Sequence, residues 1–242
     1  MCYDKSLTKS QQDLENYYGY QEHVFDPPFV YESYYHVKGF DKPIIYIIPQ
    51  QDPFKILPAT WGLVPKVKEF YEDGKEKKYD YLNTKSENLF KVKAWEASIR
   101  HYRCLIFCDG FFEPHHRGEL TFPYYCYIPE GTDRKLFCFA GIYTEHEDEV
   151  YTASIITTEA NEFFSQVHNK RNRMPFVFDE IYQWEWLKED LTDEMIKDIL
   201  KEGFTKDEFA KYTVSKDLYQ PTNTNLPGIL DKVVYRDLFG EL

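Results

Sequence analysis

The second residue of the chain is the one best suited to covalent chemistry. Removal of Met1 would leave Cys2 with a free α-amine beside its thiol. These groups titrate near ~8 and ~8.5, so both keep a reactive fraction at neutral pH. An aldehyde can condense with such an amine as an imine, and the thiol then closes a five-membered thiazolidine ring. A cysteine after the initiator methionine can also be a coincidence, so this hypothesis depends on acid–base groups elsewhere in the chain.

Three further residues could supply proton transfer and orientation. Glu113 follows an apolar run that is typical of a buried strand leading into a turn, and it lies next to two phenylalanines. An apolar setting disfavours the charged carboxylate and raises its pKa toward neutrality. His168 opens a basic run, and a histidine can exchange protons at physiological pH. Asn83 offers a donor and an acceptor on one short side chain. Each residue alone is equally typical of an ordinary turn or surface loop.

The elements that must position these residues are mostly short strands with helices around them. The patterns predict strands at 34–37, 43–49, 103–108, 122–128, 136–143 and 150–157, and helices at 6–18, 94–101, 159–167, 180–187 and 193–201. Thr192 is the expected N-cap of the last helix, and Gly203 follows its end. We expect one α+β domain over residues 1–242, with mainly antiparallel sheets in a partly closed, barrel-like core and helices at the periphery.

The charge is acidic overall and uneven along the chain. The formal net charge of the 242 residues is -12, which argues against a general coat for nucleic acid, since such binding depends on Lys and Arg at phosphates. Much of the excess lies in an acidic helical segment, 179–211. Basic residues gather elsewhere, around 85–103 and again at 170–173. A local groove for an anionic ligand on an acidic protein is compatible with this distribution.

The five cysteines indicate free thiols in a reducing compartment. They lie at positions 2, 104, 108, 126 and 138, an odd number without close paired spacing, and the polar start does not resemble a signal peptide. We therefore expect a cytoplasmic protein that does not enter membranes. Cys104 and Cys108 lie in one predicted strand, roughly 13 Å apart, which is too far to share a zinc ion. We expect neither a metal ion nor a cofactor.

Eight segments, in order along the chain, resemble the SRAP family (SOS response-associated peptidase), whose members link covalently to abasic sites in DNA. The matching segments are Met1-Cys2, Trp61-Gly-Leu-Val-Pro65, Asn83-Thr-Lys-Ser-Glu87, Arg103-Cys-Leu-Ile with Asp109-Gly-Phe-Phe-Glu113, Phe139-Ala-Gly-Ile-Tyr143, Ile156-Thr-Thr158 with Ala160-Asn161, His168 with Arg173-Met-Pro175, and Val214-Ser215. Each segment is weak alone, but their common order makes the resemblance specific over nearly the whole chain.

The resemblance implies a function and assigns the site residues. It places the nucleophile at Cys2, with Asn83, Glu113 and His168 completing the catalytic set. The implied partner is single-stranded DNA that contains abasic sites, trapped as a Cys2 thiazolidine after Met1 is removed, with autoproteolytic and abasic-site lyase activities beside it. It also assigns DNA contacts, which are Trp61, Lys85, Arg173 and Ser215. It implies no oligomeric state.

The sequence departs from the family pattern at expected DNA contacts. Tyr3 and Asp4 stand where the family usually has Gly and Arg, and an aspartate there would repel phosphates. Val67 and Lys68 replace a tryptophan that could stack on a base. Two alternatives therefore stay open. One is a cysteine-type peptidase that acts on protein substrates, and the other is a non-catalytic binding module rich in tyrosine and phenylalanine.

Overall fold

A computed structural model describes residues 2–17, 24–25, 29–66 and 81–239 of the chain. The strands are β1 (Asp4–Leu7), β2 (Val24–Phe25), β3 (Tyr34–Lys38), β4 (Ile44–Pro49), β5 (Lys55–Trp61), β6 (Asn83–Lys85), β7 (Arg103–Cys108), β8 (Gly110–Arg117), β9 (Leu120–Tyr127), β10 (Pro129–Glu130), β11 (Asp133–Arg134), β12 (Phe137–Glu145), β13 (Tyr151–Glu159), β14 (Arg173–Pro175) and β15 (Ala210–Thr213). The α-helices are α1 (Gln11–Glu15), α2 (Lys93–His101), α3 (Glu162–Val167), α4 (Glu180–Leu187), α5 (Asp193–Glu202) and α6 (Arg236–Phe239).

Five of the strands close into a ring. The antiparallel neighbours follow the order β13, β12, β7, β4 and β5. The ring closes where Thr60 and Trp61 of β5 pair in parallel with Thr152 and Ala153 of β13. Beyond this point β13 continues and pairs with β6 and β14. The α+β class and the mainly antiparallel sheets are confirmed, and the expected barrel-like core takes the form of this ring.

The strand β7 separates two apolar clusters because successive side chains point to opposite faces of a strand. Leu105 and Phe107 belong to the cluster under the helices, together with Trp95 of α2 and Trp186 of α4. Cys104, Ile106 and Cys108 belong to the other cluster, which also contains Cys2. Since β7 is buried on both faces, its sequence is almost continuously apolar rather than alternating. This pattern explains why its predicted bounds, 103–108, are confirmed.

A second sheet carries Glu113 in β8 and begins two residues after Cys2. Its strand order is β15, β9, β8, β1 and β3, and the chain enters it from the ring through Asp109 and Gly110. Ser6 of β1 donates to Asp109 Oδ1 at 2.6 Å, and its hydroxyl lies 2.9 Å from the hydroxyl of Tyr125. A Cβ on Gly110 would come within 2.0 Å of the Tyr125 hydroxyl. Glycine is therefore required where the chain passes between the two sheets.

Arg103 at the start of β7 anchors two helices. Its buried guanidinium donates to Ile99 O at 2.9 Å and to Arg100 O at 2.7 Å, both near the end of α2. It also donates to Trp186 O at 2.9 Å and to Lys188 O, at the end of α4. These carbonyls lie where a helix leaves acceptors without partners. Burial lowers the pKa of Arg103 to about 10.

The helices of the acidic segment agree with the sequence patterns, whereas the first predicted helix is wrong. α4 has the predicted bounds, and Thr192 caps α5 by accepting from Met195 N. The predicted helix 6–18 fails because Ser6 and Leu7 belong to β1, where they pair with β8 and β3. Only 11–15 is helical, after a capping box at Ser10. Across the ranges given above, no helix has both the length and the apolar character needed to span a membrane.

Candidate active site

Cys2 is enclosed at the junction of the ring and the second sheet. It lies two residues before the start of β1, whose Asp4 and Lys5 pair with Phe112 and Phe111 of β8. Its exposed fraction is 0%, and its thiol donates to Asp4 O at 3.7 Å. Burial raises the pKa of this thiol well above its ordinary value, and the nearby Glu113 carboxylate raises it further. The thiol is thus protonated at neutral pH and needs a base in order to react.

Asn83 orients Cys2 from the other side of the junction. It begins β6, which pairs in parallel with β13, and its Nδ2 donates to Cys2 O at 2.8 Å. The backbone just before it is fixed by Trp61, whose indole N–H donates to Leu82 O at 2.9 Å. Asn83 Oδ1 is buried and finds no hydrogen-bond partner among the described residues. The side chain therefore holds the Cys2 backbone and keeps an acceptor inside the site.

Glu113 and His168 form a buried pair. Glu113 is 1% exposed and His168 is 3% exposed, and His168 Nδ1 lies 2.9 Å from Glu113 Oε2. His168 is the residue that ends α3, where its N–H donates to Phe164 O. A surface position for His168 is thereby excluded. A carboxyl and an imidazole thus meet in the protein interior, close enough to Cys2 for Glu113 to raise the pKa of its thiol.

The prediction that Glu113 lies in a turn is wrong. The turn is at Asp109, and Glu113 is in the middle of β8, opposite Tyr124 of β9. Pro114, a residue type that often ends a strand, lies directly opposite Pro123. Because Pro123 O accepts from Val214 N on the far side of β9, the two prolines form a non-hydrogen-bonded pair, and neither missing N–H belongs to the β8–β9 ladder.

Two residues that the sequence patterns did not single out hold His168 against β8. His115 Nδ1 donates to Gln166 O at 2.9 Å, near the end of α3. Asn169 accepts from His116 N at 2.9 Å and donates to His116 O at 2.7 Å, so its amide mimics a strand partner. Adjacent histidines and a loop asparagine carry no recognisable motif, and only the fold reveals their role.

The residues assigned to DNA contact lie in different environments, although Lys85 pairs with Thr157 and Arg173 donates to it. Trp61 is fully buried, so its ring offers no surface to a base, while Lys85 is exposed at the end of β6. Arg173 donates to Glu87 Oε1 at 2.6 Å and to Thr157 O at 2.7 Å. Burial opposes the ionisation of Glu87, but hydrogen bonds from Arg173 outweigh it and lower the pKa of Glu87.

Ser215 is the remaining residue that was assigned to DNA contact. Ser215 caps a short 3₁₀ turn, Lys216–Tyr219, by accepting from Asp217 N and donating to Asp217 Oδ2. Val67 and Lys68 lie outside the described residues. The described ranges also contain no group of three or more His, Cys, Asp or Glu side chains that could hold a metal ion.

The aspartate next to the site is paired within the chain. Asp4 Oδ1 lies 2.9 Å from Nε2 of His36, whose side chain is 0% exposed. The other ring nitrogen of His36 lies 2.6 Å from Thr224 Oγ1. Both ring nitrogens and the Asp4 carboxylate therefore have hydrogen-bond partners within the chain. The carboxylate that was expected to repel DNA is thus engaged by a buried partner.

Comparison with known proteins decides the family. The family model for the SOS response associated peptidase (SRAP) matches residues 1–221. The chain belongs to the SRAP family. The "Abasic site processing protein YoaM" of Bacillus subtilis is 27% identical over 232 residues, which covers 93% of this chain and 96% of that protein. The "Abasic site processing protein HMCES" of Gallus gallus is 30% identical over 146 residues, which covers 51% of this chain and 42% of that protein.

A solved structure shows the same fold. A protein from Bacteroides thetaiotaomicron superposes with a TM-score of 0.77 at 26% identity, covering 96% of this chain and 100% of that one. The resemblance drawn from the eight ordered segments is confirmed. The residues that the family model matches include Cys2, Asn83, Glu113 and His168, which lie in four separate parts of the sequence.

Proposed function

We propose that the chain processes abasic sites in single-stranded DNA by forming a covalent thiazolidine at Cys2. The observation that carries this proposal is the convergence of Asn83 on Cys2, with the Glu113–His168 pair beside them. The names of the relatives support the target, since both are called abasic site processing proteins. Once Met1 is removed, Cys2 offers the adjacent amine and thiol that such a ring requires.

The first step joins the Cys2 amine to the aldehyde at C1′ of the ring-opened abasic sugar. The amine adds to the carbonyl carbon, and loss of one water molecule gives an imine. Glu113, as an acid, would donate the proton that the departing hydroxyl needs. Asn83 Oδ1 is a buried acceptor that can orient the N–H groups of the amine. Holding the amine in one place removes much of the entropic barrier to this addition.

The second step closes the ring. The thiol adds to the imine carbon, its proton leaves the sulfur, and the nitrogen becomes an N–H, so no further atom is gained or lost. Because burial keeps the Cys2 thiol protonated, a base must take that proton as the C–S bond forms. Glu113, now a carboxylate, can accept it, and His168 at 2.9 Å can stabilise the charge of that carboxylate. One acid–base pair would serve both steps in opposite protonation states.

Single-stranded DNA is the target that fits an enclosed nucleophile. Cys2 has an exposed fraction of 0%, so a sugar must leave the DNA surface to meet it. A nucleotide in a duplex reaches a recessed site only after it is unstacked and extruded, which costs a few kcal/mol, whereas a single strand avoids most of that cost. An abasic nucleotide also meets less steric hindrance on entering the site than an intact nucleotide does, since it has no base.

A crosslinking assay tests the proposal. The purified chain is incubated with a single-stranded oligonucleotide whose central uracil has been excised, and the products are separated under denaturing conditions. We expect a DNA–protein species from the wild type and none from Cys2→Ala. Cys138→Ala is the matched control, because it removes another fully buried thiol on the opposite face of β7. Equal yields from wild type and Cys2→Ala would refute the proposal.

We also propose that the chain removes its own Met1 with the same groups. The Cys2 thiol would attack the Met1 carbonyl, the amide nitrogen would leave as the new amine, and water would hydrolyse the thioester. Glu113 is the base that this attack requires. Intact-mass measurement after cell-free synthesis without aminopeptidases should find Met1 lost from the wild type and retained in Glu113→Ala. Retention of Met1 in both chains would refute self-processing.

A further inference from the structure

Beside Cys2 lies an aromatic surface for which the proposed chemistry has no use. The ring of Phe40 is 71% exposed, and it rests on Tyr3, with 4.9 Å between the ring centroids and 35° between the planes. Such an aromatic pair is favourable in itself, yet the exposed fraction shows that most of the Phe40 ring remains in water. Tyr3 directly follows the nucleophile in the sequence, so this surface begins one residue from the reaction centre.

The backbone fixes Phe40 in place. Phe40 lies in a tight 3₁₀ turn, Gly39–Asp41, in which Gly39 N donates to Tyr3 O at 2.7 Å. A Cβ on Gly39 would come within 3.2 Å of both Trp61 and Leu82, so the turn lies directly against the ring of strands. An aromatic side chain whose backbone is already ordered loses little entropy when a ligand stacks on it.

An arginine completes this surface. Arg171 is exposed on the loop after His168. Burial raises the pKa of the Tyr3 hydroxyl, and the nearby Arg171 guanidinium opposes that rise. The neighbouring Asn172 adopts a left-handed conformation with φ of 50°, and its carbonyl accepts from Ala160 N at 3.0 Å. This hydrogen bond ties the basic loop to the end of β13. In the part of the chain that the structure describes, none of the ion pairs involves Arg171.

We propose that Tyr3, Phe40 and Arg171, the aromatic–arginine platform, bind the nucleotide next to the abasic site. Its base would stack on the exposed face of Phe40, and its phosphate would meet the guanidinium of Arg171. This inference rests on the proposed function, and it assigns residues that select the substrate rather than react with it. The family usually has glycine where this chain has Tyr3, so the platform would be a feature of this chain.

Charge and chemistry favour an unpaired base as the occupant. An abasic sugar has no base of its own to stack, so affinity must come from its neighbours. The net charge of -12 makes general attraction to phosphates weak. Stacking on an aromatic side chain does not depend on that charge and accepts any base, because every base has a π-face. A base that is paired in a duplex would not present the same open face.

Noncovalent binding tests the platform without the crosslinking chemistry. Fluorescence anisotropy would compare two single-stranded oligonucleotides that carry tetrahydrofuran, a stable abasic analogue. One has tetrahydrofuran at the centre only, and the other also has it at the flanking positions. Phe40→Ala should weaken binding to the first by roughly five- to a hundredfold and leave the second nearly unchanged. Phe54→Ala, which truncates an exposed phenylalanine whose ring is tilted against that of Trp184, should change neither.

The salt dependence of DNA binding tests the contribution of Arg171 separately. Loss of one phosphate contact should reduce the slope of log K against log salt by about 0.7 for single-stranded DNA. Arg171→Gln should show that change, and Lys188→Gln, which makes the same change in charge beyond α4, should not. A Phe40→Ala protein with wild-type affinity for the first oligonucleotide would overturn the platform, even if crosslinking at Cys2 is intact. A wild type that forms no crosslink but keeps its flank-dependent binding would overturn only the proposed function.

Discussion

The interior cysteines should make the stability of the chain fall at mildly alkaline pH. The side chains of Cys104, Cys108, Cys126 and Cys138 are 0% exposed. Burial raises the pKa of all four thiols, and it raises that of Cys108 to about 12. In the unfolded chain a thiol titrates near ~8.5. Because the unfolded chain releases these protons first, the stabilisation is fully present below pH ~8.5 and is lost as the pH rises above that value.

The magnitude follows from the ionisation of the unfolded chain. Moving from about pH 7.5 to about pH 9.0 stabilises an unfolded thiol by roughly 1 kcal/mol, while the folded thiol stays protonated. The buried Cys2 thiol, whose pKa is also raised, adds a fifth equal contribution. The five thiols together therefore lower the free energy of unfolding by about 4 kcal/mol, a substantial part of the roughly 5–15 kcal/mol that is typical of a domain. Tyrosines of the unfolded chain titrate near ~10 and contribute little in this pH window.

Urea unfolding followed by tryptophan fluorescence, with a reductant present, measures this loss. With an m-value of about 1–3 kcal/mol/M, the midpoint should fall by about 1–4 M between the two pH values. In Cys138→Ala the absolute stability drops, but the difference between the two pH values should shrink by about one fifth, because one of five buried thiols is removed. A wild-type midpoint that is the same at both pH values would refute the reasoning, since the folded thiols would then ionise as readily as unfolded ones.

Three substitutions test other parts of the structure. Gly110→Ala should cost at least about 1–3 kcal/mol of stability, because its Cβ would fall 2.0 Å from the Tyr125 hydroxyl, and an unchanged melting temperature would contradict this close approach. Arg103→Met should lower the free energy of unfolding by about 3 kcal/mol or more, since buried carbonyls lose their donors, and Arg103→Lys should restore only part of it in urea titrations. Asn83→Ala should cost about 1 kcal/mol and slow crosslinking in a time course, because Cys2 loses a 2.8 Å hydrogen bond, whereas a wild-type rate would exclude an orienting role.

A glycine on the surface provides the control for the first substitution. A Cβ on Gly228 would meet its nearest neighbour, Asp231 Oδ2, at 3.6 Å, which is an ordinary van der Waals contact. Gly228→Ala should therefore leave the melting temperature nearly unchanged. The contrast with Gly110→Ala separates the close approach to Tyr125 from a general effect of replacing glycine.

The sequence predicted buried elements well where one face or both faces are apolar. β7 and α4 have the predicted bounds because their burial leaves a continuous or periodic apolar pattern. The helix predicted at 6–18 failed because pairing with β8 and β3 outweighs local helical preference. Ser10 and Asp13 form a capping box that the sequence already contained, and it would have placed the start of α1 correctly.

The candidate site was predictable in its residues but not in its contacts. Glu113 and His168 are far apart in the sequence, and only the packing of α3 against β8 brings them to 2.9 Å. The environment of Glu113 was also misjudged, because Pro114 signals a strand end when it is considered alone. In the structure the strand continues through Pro114, which lies opposite Pro123. Such a pairing depends on strand register rather than on local sequence.

The pairing of Asp4 with His36 couples the residues that can occupy these two positions. An arginine at position 4 would leave the His36 ring nitrogen, now 2.9 Å from the Asp4 carboxylate, without its acceptor, and it would bring a second donor to a histidine side chain that is 0% exposed. Replacing Asp4 alone by arginine should therefore destabilise the fold even where the added charge attracts DNA more strongly. Arginine becomes compatible with position 4 only when position 36 no longer carries a buried donor.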